Sequence, residues 1–284
     1  MLKSCIDFDI NTRTSLLIIS AIIFGFASAV ACLNNTNNSI ALAQTESYSF
    51  LTSWGSQGSG EGQFEGLNDV LEWNGSVFVP DYDNNRIQKF TSDGEFISAW
   101  GTEGEGDGQF LHPHGIAVDT KSGYVYVDDA TNMNIQKFDS NGNFITKWGT
   151  EGSGDGQLSS PESLAVDSQG NVYVSDLDNN RIQKFTSDGE FISAWGTEGE
   201  GDGQFNSPAG LAIDNQDRVF VTDRGNARIQ VFDSNGIFIT KWGSPGTEDG
   251  QFARPEGINV DPSGTVYVAD TNNNRVQKFI PSSQ

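Results

Sequence analysis

Cysteine is almost missing from this sequence, and both residues that occur, Cys5 and Cys32, precede its repeated part. No disulfide can form within the repeats, and no cysteine-based zinc site either. Basic side chains are also scarce. Of 16 Lys and Arg and 38 Asp and Glu, two of each lie before residue 44, leaving 14 against 36. The whole formal charge of −22 therefore falls on the remainder. Lys and Arg contacts supply most nucleic-acid affinity, so no nucleic acid is expected as a partner. Acidity instead favours solubility, cations and basic partners, without bearing on fold. No nucleophile elbow, Ser-His-Asp order or reactive cysteine is found. Any acidic chain contains many carboxylate pairs, so those alone point to no chemistry.

The one long hydrophobic run is 15–31, SLLIISAIIFGFASAVA, preceded by Lys3 and Arg13 and diluted by Asp7 and Asp9. Small-residue sites follow at Ala29-Val30-Ala31, before Cys32, and at Ala41-Leu42-Ala43. This reads as a secretory signal, while 17 residues also reach the short end of a membrane span. Export is expected, with a cleaved signal and an uncleaved anchor both open, and cleavage before Cys32 would leave a lipoprotein-like N-terminus. Residues 33–46 form an Asn-rich, solvated linker. Asn34, Asn37 and Asn74 each begin an N-x-[ST] sequon. The expected division is 1–43, a signal or anchor with linker, and 44–284, a folded domain at the cell surface or outside the cell.

Self-similarity dominates the rest. Trp-Gly recurs at Trp54, Trp100, Trp148, Trp195 and Trp242, spaced by 46, 48, 47 and 47 residues. Each unit carries four short runs of Val, Ile, Tyr and Phe between turn residues, as in SLAVD (163–167), NVYVSD (171–176), RIQKF (181–185) and EFISAW (190–195). Four strands per repeat of this length predict an all-β propeller. Asp93-Gly94, Asn141-Gly142, Asp188-Gly189 and Asn235-Gly236 join the third and fourth runs, and such pairs favour tight antiparallel hairpins. The last repeat ends at its third run, whereas SFLTSWG (49–55) is a fourth run with nothing before it. Five blades closed by this N-terminal strand are the expectation, since closure removes open sheet edges. Residues 83–110 and 178–205 are identical over 28 positions, two blades apart. This implies duplication of a two-blade unit. Residues common to every copy then serve the scaffold, and function is to be sought where copies differ.

The unit is visible in GDGQFNSPAGLAID (201–214), VFVTDRGNARIQVF (219–232) and GTVYVADTNNNRVQKF (264–279). It resembles the NHL repeat over 48–279. The resemblance implies a propeller, commonly of six blades, in a family that includes extracellular sensor domains, RNA-binding modules, ubiquitin-ligase appendages and a zinc-dependent amidating lyase. No RING domain or B-box precedes the repeats, and the basic face of the RNA binders is missing, so neither role carries over.

Four sets of residues are candidates. Asp81, Asp129, Asp176, Asp223 and Asp270 close each second strand, with Arg86, Arg181, Arg228 and Arg275 five residues on. Asp81-x-Asp83 and Asp176-x-Asp178 faintly resemble a calcium loop, but the Gly and terminal Glu of an EF-hand are missing. Turn capping and Arg–carboxylate pairing is the preferred reading. The tryptophans and Phe90, Phe138, Phe185, Phe232 and Phe279 could form an aromatic cage, but their fixed places in every blade make them core. Loops such as GTEGEGDGQF (101–110) lack the Lys or helix of a phosphate cradle, and Glu103, Glu105 and Asp107 would repel phosphate.

The fourth set varies. After the residue that opens each first strand come Asn68, His114, Glu162, Ala209 and Glu256, expected at the mouth of the central channel. The resemblance places zinc-binding His residues of the amidating lyase at such Pro-His sites, and only His114 matches. His114, Glu162 and Glu256 are a set that could hold calcium or zinc, with hydrated rim residues as the alternative. His112 is expected on the surface. No cofactor is required by this reading. The expected function is a monomeric module that binds or scaffolds a protein or small ligand and meets the membrane only through its N-terminal segment. A metal-dependent lyase or lactonase-like enzyme is the rival, and a purely structural envelope protein a third reading.

Overall fold

The computed structural model describes residues 50–281, so the apolar run, the linker with Asn34 and Asn37, and both cysteines lie outside the described residues. From Leu51 onward the chain forms one compact unit of five sheets. Blade one holds β1 (Leu71–Trp73), β2 (Ser76–Asp81), β3 (Arg86–Thr91) and β4 (Phe96–Trp100). Blade two holds β5 (Pro113–Val118), β6 (Val125–Asp129), β7 (Asn134–Phe138) and β8 (Phe144–Trp148). Blade three holds β9 (Pro161–Val166), β10 (Val172–Asp176), β11 (Arg181–Phe185) and β12 (Phe191–Trp195). Blade four holds β13 (Pro208–Ile213), β14 (Val219–Asp223), β15 (Arg228–Phe232) and β16 (Phe238–Trp242). Blade five holds β17 (Pro255–Val260), β18 (Val266–Asp270) and β19 (Arg275–Phe279). Every neighbouring pair within a blade is antiparallel.

Stacking dictates which runs are apolar throughout. In β6, β10 and β14 all five residues are buried, because both faces of a middle strand meet another blade. The outermost strands β4 and β12 alternate, with Ile97 and Ile192 turned to solvent. Aromatic residues fill the seams: Trp100 of blade one meets Phe138 of blade two at 5.9 Å, and Trp148 meets Phe185 at 6.0 Å. Each such residue removes ~150–250 Å² from water. Trp100, Trp148, Trp195 and Trp242 therefore pack half-buried against the core, as their periodic places predicted, whereas Trp54 is exposed. The hairpin turns follow from the same packing. At Gly142, φ is +84°, and a Cβ there would lie 2.6 Å from the Trp100 ring.

The expected closing strand is not formed by the described part of 49–55. Residues 50–55 carry no strand, and β19 pairs with β18 alone among the described residues. Trp54 still packs on blade one, 6.2 Å from Phe90 and against Gly94, as Trp100 of blade one packs on Phe138 and Gly142 of blade two, so the side-chain contact of a closing strand is made without its backbone pairing. The segment thus holds the face of blade one without completing blade five. The outer face of blade five is accordingly left open among the described residues: Gly257 is exposed, whereas the equivalent Gly115 and Gly210 are buried under the following blade.

Candidate functional site

The five blades surround a central cavity of about 610 Å³. Asn68, His114, Glu162, Ala209 and Glu256 all line it. The register explains the convergence. Pro113, Pro208 and Pro255 pair with Asp129, Asp223 and Asp270, so the residue after each proline starts the innermost strand at the same height.

The shared residues build scaffold. Asp176 is fully buried and accepts from the Ser159 N–H at 2.7 Å, Arg181 Nε at 2.8 Å and Gln183 Nε2 at 3.0 Å. Asn179 Nδ2 joins it at 2.9 Å. Arg181 also donates to the carbonyls of Ser153, Gly154 and Gln157, tying down the glycine loop. Asp81, Asp223 and Asp270 repeat this arrangement with Arg86, Arg228 and Arg275. Protein donors fill the shells of these aspartates, so the Asp–Arg pairs are turn architecture. Glu103, Glu105 and Asp107 point from their loop to solvent, and Lys147 reaches Asp107 at 3.1 Å.

At the rim the copies diverge. His114 Nδ1 lies 2.9 Å from the Glu162 carbonyl. A carbonyl only accepts, so Nδ1 carries the hydrogen, and Nε2 has no hydrogen-bond partner among the described residues. Glu162 and Glu256 do not join His114 in a ligand set. Both carboxylates face Arg224, at 3.8 and 3.6 Å, and Glu256 is held by Arg254 at 2.8 Å. A cation between them would meet a guanidinium, so as arranged the three residues do not fit a metal ion. No cluster of three or more His, Cys, Asp or Glu able to hold one is found among the described residues. Asn68 is exposed at the rim, and Ala209 is buried. His112 is half-exposed as expected, with Nδ1 2.9 Å from Thr131 Oγ1 and its ring stacked 4.6 Å from Tyr82.

Sequence reasoning missed Arg224, Tyr82, Asp69 and Asp128. Tyr82 and Arg224 start the short 3-10 turns that follow β2 and β14. The residue at this place is Tyr82, Ala130, Leu177, Arg224 and Thr271 in successive blades, so the search for divergent positions could have found it. Asp69 accepts from the N–H of Ile116 across a seam at 3.0 Å, and burial pushes its carboxyl above the usual range. Asp128 is fully buried, and burial pushes it up to about 7.

With the geometry in place, comparison identifies the repeat. The NHL repeat model matches 158–185, 205–232 and 252–279, and a 6-bladed beta-propeller model matches 59–135. No curated relative matches the chain in sequence. Among solved structures, a streptogramin B lyase is 16% identical, with a TM-score of 0.57 over 77% of this chain and 70% of that one. A virginiamycin B lyase from Staphylococcus aureus is 16% identical, with a TM-score of 0.53 over 77% and 71%. An auxiliary nutrient binding protein from Bacteroides thetaiotaomicron is also 16% identical, with a TM-score of 0.57 over 77% of this chain and 59% of that one. Such identities establish the fold alone. The repeat motif and the antiparallel blades agree, and the chain is a β-propeller carrying NHL repeats in its third to fifth blades.

Proposed function

We propose that this chain is an exported binding module that takes a small ligand at one mouth of its central channel. A single observation carries the reading. One position that differs in residue type among the blades, Asn68, His114, Glu162, Ala209 and Glu256, lines a single cavity walled by all five innermost strands. His114 Nε2 has no partner there, Glu162 makes no hydrogen bond through its carboxylate, and Arg224 donates none through its guanidinium among the described residues. Unused donors and acceptors converging on a cavity are what a polar ligand requires. Export rests on the 15–31 run, and a monomer that binds no nucleic acid rests on the acidic surface.

The test is native mass spectrometry of the full chain incubated with a metabolite mixture, beside the double variant His114→Ala, Arg224→Ala. Bound small molecules that the variant loses would support the site. Identical spectra for both proteins would overturn it.

A lyase-like enzyme is the second reading, favoured by the unpartnered Nε2 of His114, which in the neutral ring could serve as a base. It draws on the lyases that share the fold. Its metal-dependent form needs ligands that His114, Glu162 and Glu256 do not assemble here. Conversion of a bound molecule, seen as a mass change that His114→Ala abolishes, separates enzyme from binder.

A further inference from the structure

Two seams of the propeller are stitched alike except for one group. In blade four, Thr222 Oγ1 accepts from the Gly210 N–H at 2.7 Å and donates to the carbonyl of Glu256 in blade five at 2.8 Å. A hydroxyl can do both because it is donor and acceptor. Two blades earlier, the same three places hold Gly115, Asp128 and Glu162. Asp128 Oδ1 accepts from the Gly115 N–H at 3.0 Å, as Thr222 does from Gly210. Its Oδ2 is buried without a hydrogen-bond partner.

That orphaned oxygen and a carbonyl border one small space. A Cβ on Gly115 would sit 2.5 Å from Asp128 Oδ2 and 3.3 Å from the Glu162 carbonyl oxygen. An ionised carboxylate is acceptor-only, so it would leave both oxygens without a hydrogen between them. A buried acceptor left unmade costs about 1–3 kcal/mol, more when charged. Thr222 avoids this cost with its hydroxyl hydrogen.

We infer that Asp128 carries a proton on Oδ2 in the folded protein and donates it to the Glu162 carbonyl, as Thr222 donates to Glu256. That carbonyl also accepts from His114 Nδ1 and has two lone pairs, so both donors can be satisfied. Asp128 is then a positioning residue. It holds the Glu162 backbone that orients His114, and it need not touch a ligand.

The surroundings agree. His114 of β5 opposes the upward push of burial, while Glu162 of β9 and Asp69 before β1 add to it. Tyr82, after β2, also interacts with Asp128, and burial holds its hydroxyl above the usual range. The consequence is a seam sensitive to pH near neutrality. Loss of the proton leaves an anion between blades two and three and removes one of the two hydrogen bonds to Glu162. A raised folded pKa means that the folded protein binds the proton more tightly than the unfolded chain. Stability from this group is therefore greatest in acid and falls as pH climbs from about 3.9 to about 7, levelling above that.

The experiment uses the full chain, labelled with carboxyl-13C aspartate and titrated by NMR, beside Asp128→Asn and Asp128→Thr. Asn keeps the shape and donates an N–H where the acid donates O–H, and Thr copies blade four. One aspartate carbon titrating near neutrality in the wild type, and missing in both variants, is expected. The melting temperature of Asp128→Asn relative to wild type should rise by roughly 5 °C between pH 5 and pH 8, because wild type alone loses stability over that range. An Asp128 carbon titrating near the ordinary value of about 3.9 would overturn the inference. So would melting curves that run parallel across the range. If Asp128→Asn does not fold, the wild-type titration and Asp128→Thr still decide. None of these readouts requires a ligand, so failure here leaves the channel-mouth reading untouched.

Discussion

At the residue scale, each carboxylate takes its role from its donors rather than its charge. Asp176 accepts bonds from three side chains and one backbone N–H, and Arg181 depends on it. Asp176→Ala would strand a largely buried guanidinium, so a loss of about 3–5 kcal/mol is expected in urea unfolding. Asp176→Asn should lose less, because the turn bonds survive. Other carboxylates set the acid limb. Burial alone would raise Asp167, but the Asn171 side chain, the N–H groups of Asn171 and Gln169, and Lys184 outweigh it and hold it below the usual range. Asp139 is held low in the same way, against burial, by Asn143, Asn141 and Gly142. A lowered folded pKa adds stability above the unfolded value and loses it as pH falls through the folded one. Unfolding free energy should therefore drop on acidification below about pH 4, and Asp167→Asn should flatten that limb.

At the element scale, strands and turns were readable because local chemistry and packing demand the same residues. The predicted third run of blade three, 181–185, is β11, and the fourth, 190–195, contains β12. Val-rich second strands are buried on both faces, so their apolar character needed no interpretation. The hairpin glycines answer two demands together, positive φ and the indole of the preceding blade. Gly142→Ala should thus cost more than the roughly 1 kcal/mol of the backbone conformation alone, since Trp100 must move. Gly75, with φ +72° and nothing within 4 Å of its Cβ, is the control that should show the backbone cost only. Urea midpoints of the two variants test the difference. The short turns at Tyr82 and Arg224 could have been singled out by their divergence between blades, but their sequence does not show that they reach the rim.

At the scale of the whole molecule, charge makes a prediction about one class of partner. With −22 formal charge, the protein should give no gel-shift complex with DNA or RNA at micromolar concentration and low salt. A tight, salt-sensitive complex would contradict the charge argument. The N-terminal contact makes a different prediction. Trp54 is 38% exposed and packs on blade one, so Trp54→Ala should cost less than the ~3–5 kcal/mol of a core aromatic. Hydrogen exchange should quicken first around Phe90 and Gly94. Equal quickening along β19 would show that the segment completes blade five after all.

The sequence by itself determined the blade, its five-fold repetition, the aromatic core and the acidic surface. Each depends on residues that recur at a fixed spacing, and recurrence is visible without coordinates. It also directed attention to the positions where copies differ, and His114, Glu162 and Glu256 do reach one rim. Only the tertiary structure decided what surrounds them. Arg224 comes from a turn 62 residues beyond Glu162 in the chain, yet it lies 3.8 Å from that carboxylate. The contact exists because one blade stacks on the next at an angle that no local motif specifies. The same stacking puts Asp128 behind Gly115 and under Glu162, and leaves Gly257 of blade five exposed. A metal-ligand set expected from residue types became ion pairs for that reason, since charges from neighbouring blades cannot be counted before the blades are packed.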